Sequence, residues 1–496
     1  MARQNDLFEL VKSLSKAEKA FFRKNLPEQD RGPSSYLKLF EALDAMKEYD
    51  ETALLKKLKI TRQGTAFSVS KNYLYKAVLK SLVQFNAEKS SHAVIQHHLL
   101  QGEVLNQKGL YEQARKSYEK ALQSATEADY PSLAYECQTQ LRGLFSYLPI
   151  TAETTEELQK LNAAMEDMLQ NLQSENSLTA ISKMQFVLLK QLSFEGVRSE
   201  RHKLLLEQLL EHPHFTEENC KTFTARCLYY TVLGHHYYAL GDMKSSFEWR
   251  KKAVDYMEGE GERLKTHRMR YYSTLNTFLN ICLRMHRFDI YQNYIAALRD
   301  YHQLEPGMAS RVFLMYANLE MNYCFGMADL SYGKKMLPGI VSGLQTYRPL
   351  LSVNFLMPIH FNTGSLLYML QRYDEALDYF KFCSEQKVDE NMAAVSRVVL
   401  LILHYELKNY DLISYLIRNT ERYFKKQGRL FEFEKAFLTR MKAILALAHK
   451  NEKQKEFSML HSDLERLKTN RHEMNAIGIF DFTGWLKKHS GEKISA

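Results

Sequence analysis

Residues 102–122, GEVLNQKGLYEQARKSYEKAL, constrain the fold more than any other part of this sequence. Gly102 leaves room for a second helix to approach closely, and Lys108-Gly109-Leu110 provides a break between two helices. After the break, apolar and small residues recur three or four apart and therefore share one helix face: Tyr111, Ala114, Tyr118 and Ala121. The segment predicts two antiparallel helices packed over small residues. The same arrangement returns at residues 234–253 and 364–383.

The breaks that follow residue 90 predict a long array of helices. They divide the chain into helices of about 12–18 residues, and two such helices with their turns make a repeat of about 35–45 residues. A chain of 496 residues exceeds what one compact core normally organises, and 9 prolines disfavour a β-sandwich. We therefore expect a solenoid over residues 91–489 and a frayed tail over 490–496. The breaks are expected at 108–109, 129–131, 149–151, 174–177, 212–215, 241–242, 259–261, 285–287, 306–307, 371–372, 408–409 and 428.

The first ninety residues differ from the remainder in charge. They hold 17 Lys and Arg against 11 Asp and Glu, and residues 52–87 contain no acidic residue at all. Ser15 and Glu18 form the pattern of a capping box, which predicts a helix start. A short helix, a polar turn containing Gly64 and a basic helix over residues 70–85 could form a helix-turn-helix-like unit. We expect residues 1–90 to be a small basic helical domain.

Three segments resemble the tetratricopeptide repeat (TPR), whose first helix carries a glycine and whose second carries an alanine and, four residues later, a large aromatic residue. In the second segment Ser246 replaces the alanine and Arg250 the aromatic residue, so the register of that helix stays open. The resemblance implies an all-α fold, a right-handed superhelical α-solenoid of TPR-like helix pairs. The matching residues are Gly102, Ala114 and Tyr118, then Gly234, and then Gly364, Ala376 and Phe380.

In a tetratricopeptide stack the first helix of each pair lines a concave groove. Asn, Tyr and His side chains suit the backbone amides of an extended peptide. The alternative for each nominated residue is that it packs against a neighbouring helix. The resemblance implies a peptide- or protein-binding groove that includes Glu103, Asn106, His235, Tyr238, Asn276, Asn280 and Tyr368.

We find no sequence motif for catalysis, for a metal or for a cofactor. The sequence has no Gly-x-Ser-x-Gly, no Gly-Lys-Ser/Thr and no His-Glu-x-x-His. Its six cysteines form no Cys-x-x-Cys pair, which indicates buried free thiols in a reducing compartment. Asp6 and Glu9 stand where a secretion signal would be apolar, and no aliphatic run is long enough for a membrane span. We expect a cytoplasmic protein that uses no cofactor and contacts no membrane.

The favoured hypothesis is a non-enzymatic scaffold or adaptor that binds a protein or peptide on the concave face. A first alternative makes the basic domain a DNA- or RNA-binding module with the solenoid as its sensor, contacting phosphates through Arg62, Lys71, Lys76 and Lys80. Against that alternative, a net charge of +9 is modest for 496 residues. A second alternative is a hydrolase or transferase without a recognisable motif. The partner and the oligomeric state do not follow from the sequence.

Overall fold

The computed structural model describes residues 6–26, 36–58, 65–87, 89–195, 200–426, 432–470, 473 and 477–491. Within these ranges the regular structure is α-helical, with short 3-10 turns at Tyr301–Gln303 and Arg348–Leu350. The expected all-α fold is confirmed. The predicted break at residue 428 and the polar turn around Gly64 lie outside the described residues.

The chain divides into two compact units, the first Met1–Lys183 with Leu209–Phe278, the second Met184–Gln208 with Leu279–Ala496. The divisions fall within α9, α10 and α14 of the numbering below. The helices up to α14 are α1 (Asp6–Ser13), α2 (Lys16–Asn25), α3 (Tyr36–Ala45), α4 (Glu51–Lys57), α5 (Thr65–Asn86), α6 (Ser91–Gln107), α7 (Tyr111–Glu127), α8 (Pro131–Leu144), α9 (Thr154–Glu195), α10 (Glu200–Leu210), α11 (Phe223–Leu240), α12 (Met243–Gly259), α13 (Gly261–Thr266) and α14 (Arg268–Arg284).

In the second unit, helices that follow one another in the chain pack against each other, and α16, α18, α20 and α22 also contact in series. This order, in which each antiparallel pair stacks on the next, is that of an α-solenoid. The helices after α14 are α15 (Phe288–Arg299), α16 (Pro306–Met327), α17 (Leu330–Tyr347), α18 (Val353–Met369), α19 (Tyr373–Glu385), α20 (Glu390–Glu406), α21 (Tyr410–Lys426), α22 (Glu432–Ala446), α23 (Lys450–Leu467) and α24 (Phe482–Ser490).

The N-terminal helices α1, α2 and α3 pack against α5, and α4 packs against α3. The predicted capping box is present, since the Ser15 side chain accepts from the Glu18 backbone N–H and the Glu18 carboxylate accepts from the Ser15 N–H. Leu74 and Val78 of α5 are fully buried against α1–α3. That residues 1–90 form a separate domain stays a prediction.

Helix α9 runs through the break that we expected at residues 174–177, so that prediction is wrong. The polar residues there do not end the helix because tertiary contacts satisfy them. Glu175 accepts a hydrogen bond from the hydroxyl of Thr222, the residue that caps α11, and Ser174 is buried. Leu178 and Ile181 then continue the buried face. A polar run without Gly or Pro is therefore a weak sign of a helix end.

Three helix pairs share one close contact, in which a glycine of the first helix faces a large side chain of the second. A Cβ placed on Gly102 would lie 2.8 Å from Tyr118 Cζ, and one on Gly364 would lie 2.9 Å from Phe380 Cε2. In the remaining pair a Cβ on Gly234 would lie 2.7 Å from Arg250 Cγ. The sequence separation is the same in all three pairs, so the register left open for α12 is that of the other two pairs.

Arg250 occupies the aromatic position of its pair because its polar atoms are bonded within the helices. Its Nε donates to Ser246 Oγ at 3.1 Å, and the Ser246 hydroxyl donates to the Gly234 carbonyl at 2.7 Å. One terminal nitrogen of Arg250 donates to the Thr277 carbonyl at 2.6 Å. The two departures from the tetratricopeptide pattern therefore depend on each other. Ser246 stands at the alanine position and Arg250 at the aromatic position, and the Ser246 hydroxyl accepts a hydrogen bond from the Arg250 guanidinium.

Replacing Gly102 with Ala should destabilise the protein by about 1–3 kcal/mol, because the new methyl group overlaps a buried, rigid ring. Gly143→Ala in α8 is the matched control, since a Cβ there meets no atom within 4 Å. Helix propensity alone favours the control by about 0.5–1 kcal/mol. Denaturant midpoints followed by circular dichroism measure both. Equal midpoints for the two variants would contradict the close contact.

Helix α24 closes the second unit through a buried carboxylate. Glu406 of α20 accepts hydrogen bonds from Trp485 Nε1 at 2.7 Å, Lys488 Nζ at 2.6 Å and His489 Nε2 at 2.5 Å. Burial alone would raise the pKa of the Glu406 carboxyl, but the hydrogen bonds from His489, Lys488 and Trp485 outweigh burial and lower the pKa to about 2. The charged carboxylate therefore stabilises the docked helix.

The stabilisation by Glu406 should depend on pH. Its pKa is about 2 in the folded protein and near 4.5 in the unfolded chain, so the unfolded chain binds more protons between these values. The contribution is complete above about pH 4.5 and is lost as the pH falls toward 2. We expect the free energy of unfolding of the wild type to exceed that of Glu406→Gln by on the order of 2 kcal/mol at pH 6. The difference should be smaller at pH 3. Trp485 fluorescence in a Trp249→Phe background reports this, and an equal difference at both pH values would contradict it.

Candidate functional site

A cleft of about 390 Å³ opens in the first unit beside α6, and we call it the α6 cleft. The C-terminal end of α5 and one face of α8 form its two other sides, and the Tyr118 ring of α7 reaches it beside Gly102. The residues that line it are Val83, Ala87, Ala93, Gln96, His97, Leu99, Leu100, Glu103, Tyr118, Glu136 and Gln140.

Aliphatic side chains in the α6 cleft are exposed to solvent. Val83 of α5 is 71% exposed and Leu100 of α6 is 58% exposed, whereas Leu99 between them is buried. Covering such surface stabilises a complex by roughly 25 cal/mol for each Å² removed from water. Two exposed aliphatic residues that line one cleft are therefore suited to contacting an apolar side chain of another molecule.

The polar groups of the α6 cleft include two carboxylates. Glu103 of α6 accepts a hydrogen bond from Gln107 Nε2 at 3.3 Å, and Glu136 of α8 forms no hydrogen bond or ion pair with any residue that the structure describes. Gln140 follows one helical turn after Glu136 on the same face of α8. None of the described residues that line the cleft is a Lys or an Arg. The cleft therefore combines apolar side chains with two carboxylates, and the His97 imidazole also lines it.

The Tyr118 hydroxyl is a buried polar group with an unmet hydrogen bond. The side chain is 1% exposed, and its oxygen has no hydrogen-bond partner in the part of the chain that the structure describes. Burial, with a smaller contribution from the Glu103 carboxylate, raises the pKa of Tyr118. The phenol thus stays protonated at neutral pH and can donate a hydrogen bond to an incoming acceptor.

Two of the groove residues predicted for the first helix pair lie at this cleft or beside it. Glu103 lines the α6 cleft, and Asn106 is half-buried three residues further along α6. The prediction did not include Val83, Leu100, Glu136 or Gln140. One signal was available for Leu100, because consecutive leucines on a helix cannot both face the core. No signal in the sequence placed α8 opposite α6.

His235 and Tyr238 lie together near Arg250, also in the first unit. The Arg250 guanidinium is 5.3 Å from the centre of the Tyr238 ring. Burial, and to a lesser degree the charge of Arg250, lowers the pKa of His235 to about 4, so its imidazole is neutral at pH 7. Asn276 is half-buried on α14. Ligand binding by these three residues stays a prediction.

In the second unit, Asn280 is half-buried on α14, and Tyr368 of α18 is packed among aromatic rings. The Tyr368 ring centre is 4.8 Å from that of Phe480 and 5.8 Å from that of Tyr373. Burial raises the pKa of Tyr368, with smaller contributions from nearby acidic groups. A packing role is thus visible for Tyr368, while its role in a groove stays a prediction.

The residues proposed to contact phosphates have different surroundings. Lys71 Nζ is 2.7 Å from a Glu51 oxygen and 5.0 Å from the centre of the Phe67 ring, so its ammonium group already has partners within the N-terminal helices. Lys76 and Lys80 are exposed on α5. Arg62 lies outside the described residues. Phosphate binding by this set stays a prediction, with Lys71 the least available of the described members.

The cysteines lie in the protein interior. All six cysteines are buried free thiols, as expected from their sequence positions. Burial raises the pKa of Cys137 and of Cys227 to about 12, so neither is a ready nucleophile. The described residues contain no group of three or more His, Cys, Asp or Glu side chains placed to hold a metal ion. Within the described ranges no helix combines the length and apolar composition needed to cross a bilayer.

The comparisons with known proteins find structural similarity at a distant level. No protein-family model matches the sequence, and no curated protein matches it either. Among solved structures, the crystal structure of the apo form of RapI aligns with 81% of this chain and 100% of its own, at 11% sequence identity and a TM-score of 0.39. At that level of similarity, the fold described above rests on the helix pairs of this chain itself.

Proposed function

We propose that this protein is a non-enzymatic, cytoplasmic scaffold that binds a protein or peptide, and that the α6 cleft is part of the binding surface. The observation that carries the proposal is the combination of exposed aliphatic side chains, carboxylates and an unpaired buried hydroxyl in one cleft. The tetratricopeptide-like spacing of the helix pairs supports it, because helices in that position line the groove of such proteins.

A peptide fits the α6 cleft better than a small metabolite or a nucleic acid does. An extended chain offers apolar side chains for Val83 and Leu100, and it offers backbone N–H groups for Glu103, Glu136 and Gln140. Its carbonyl groups can accept from the Tyr118 hydroxyl. A nucleic-acid backbone would instead bring phosphates next to two carboxylates, which is electrostatically unfavourable.

Replacing Leu100 with Ser should weaken partner capture by roughly tenfold, since losing an apolar contact of this size costs about 1.5 kcal/mol. Leu100 is largely exposed, so the variant should keep its helicity and melting midpoint. Ile150→Ser is the matched control, because Ile150 is 85% exposed and does not line the cleft. Quantitative capture from an extract of the producing cells measures both variants. Equal partner recovery with Leu100→Ser and Ile150→Ser would place the binding surface elsewhere.

A further inference from the structure

We propose that the segment bound in the α6 cleft is cationic and apolar, an arginine or lysine next to a branched aliphatic residue. This inference rests on the proposed function and names the class of ligand for the same site. It follows from the charge of the cleft, from its exposed aliphatic residues and from one buried hydroxyl that lacks an acceptor.

The charge of the cleft selects a cation. Glu103 and Glu136 come from different helices, α6 and α8, and both face the same space. Glu103 is bonded to a neutral amide only, and Glu136 has no hydrogen bond or ion pair among the described residues. A guanidinium or ammonium group placed between them would be complementary to both, while an acidic residue would be repelled. Arginine can bond two carboxylates at once through its planar fork of donors.

The apolar surface of the cleft determines which residue should stand next to the cation in the bound segment. Val83 on α5 and Leu100 on α6 both line the cleft and remain exposed, and Leu99, which lines it too, is buried. The volume of about 390 Å³ lies within the range of about 300–1,000 Å³ that is common for ligand sites. It is too small for a folded element and matches a short stretch of extended chain. A leucine, isoleucine or valine beside the cation would cover both exposed aliphatic residues.

The Tyr118 hydroxyl is the independent observation that indicates a ligand at this site. Its ring is fixed against Gly102, so the hydroxyl cannot turn away to find water without moving the helix pair. A buried donor left unpaired costs about 1–3 kcal/mol, and the structure shows no compensating bond among the described residues. A backbone carbonyl of the bound segment would supply the missing acceptor. The segment then makes one hydrogen bond that does not depend on its sequence.

Selection from a phage-displayed library of random dodecapeptides on the full-length protein tests the proposal. Enriched peptides should carry Arg or Lys next to Leu, Ile or Val. Binding of a synthetic enriched peptide should weaken by about 5–20-fold in the double variant Glu103→Gln, Glu136→Gln and should lose most of its salt dependence. Glu112→Gln with Glu153→Gln is the control, because both residues are exposed in the first unit and lie outside the cleft.

Tyr118→Phe separates a role in binding from a role in packing. The variant keeps the ring against Gly102 and removes only the unpaired hydroxyl, so it should be at least as stable as wild type. Peptide affinity should nevertheless fall by about 2–10-fold, since one hydrogen bond contributes roughly 0.5–1.5 kcal/mol. A role in packing alone would leave peptide affinity unchanged.

Each outcome has a distinct meaning. Enrichment of basic, apolar peptides that depend on Glu103 and Glu136 supports the inference. Enrichment of acidic or neutral peptides, or of basic peptides that bind the double Gln variant equally well, overturns the inference and leaves the proposed function standing. Failure to enrich any peptide overturns the inference, while the capture experiment with Leu100→Ser and Ile150→Ser decides the proposed function separately.

Discussion

Replacing Trp485 with Ala is expected to destabilise the second unit by about 3–5 kcal/mol, the range for removing a large aromatic side chain from a core. Trp485 is 1% exposed, and its ring centre lies 5.3 Å from that of Phe457 and 5.8 Å from that of Phe437. Its Nε1 also bonds the buried Glu406 carboxylate. The variant therefore loses packing and leaves Glu406 with fewer donors. Urea denaturation followed by far-ultraviolet circular dichroism measures the loss.

Trp249→Ala is the matched control for Trp485→Ala, because it removes the same side chain from a half-buried position in α12. Its effect should be clearly smaller, on the order of 1 kcal/mol, since most of its surface is not enclosed. A chain with two tryptophans makes this comparison complete. Similar midpoints for the two variants would show that α24 is not docked as described.

Replacing Glu320 with Ala should cost about 3 kcal/mol or more, because one buried and two half-buried tyrosine hydroxyls lose their acceptor at once. Glu320 of α16 is buried and accepts hydrogen bonds from Tyr291 at 2.9 Å, from Tyr316 at 3.3 Å and from Tyr332. These hydroxyls come from α15, α16 and α17, so the carboxylate joins three consecutive helices. Thermal unfolding and urea midpoints report the effect.

Glu320→Gln is the informative partner of Glu320→Ala, since it keeps one acceptor oxygen and nearly the same volume. We expect an intermediate loss of stability. Glu385→Ala in α19 is a further control at an exposed position. If Glu320→Ala were no worse than Glu385→Ala, the tyrosine network would contribute nothing to the stability of the second unit.

Local sequence rules predicted much of the helical framework because the decisive features lie within a few residues. The turn at Lys108–Gly109 depends on Gly109, whose φ of +74° favours glycine. The predicted break at residues 408–409 contains Lys408, whose φ is +60°. The glycine and aromatic positions of two helix pairs were correct for the same reason. Their spacing fixes which side chains meet once both helices form.

The errors arose where tertiary contacts outweigh local preference. Residues 174–177 look like a turn, yet the bond between Thr222 and Glu175 keeps them helical, and nothing in the local sequence reveals that partner. Arg250 looked foreign to an aromatic position until its bonds to Ser246 and Thr277 were visible. Both cases depend on residues far away in the chain.

The candidate site, too, was predictable from local sequence only in part. The repeat pattern selected Glu103 because the resemblance assigns a face of α6 to the groove. It could not select Val83 or Glu136, since their positions depend on how the end of α5 and the face of α8 approach α6. The unpaired Tyr118 hydroxyl could not be found either, because the pattern describes only the ring.

Site-specific photocrosslinking tests most directly whether a partner binds in the α6 cleft. A benzophenone amino acid placed at residue 100 lies in the cleft, and the same group at residue 150 is exposed outside it. Irradiation of the full-length protein in an extract of the producing cells should give a discrete crosslinked polypeptide from position 100, which mass spectrometry can map, and none from position 150. Crosslinking of the same polypeptide from position 150, with none from position 100, would contradict binding in the cleft.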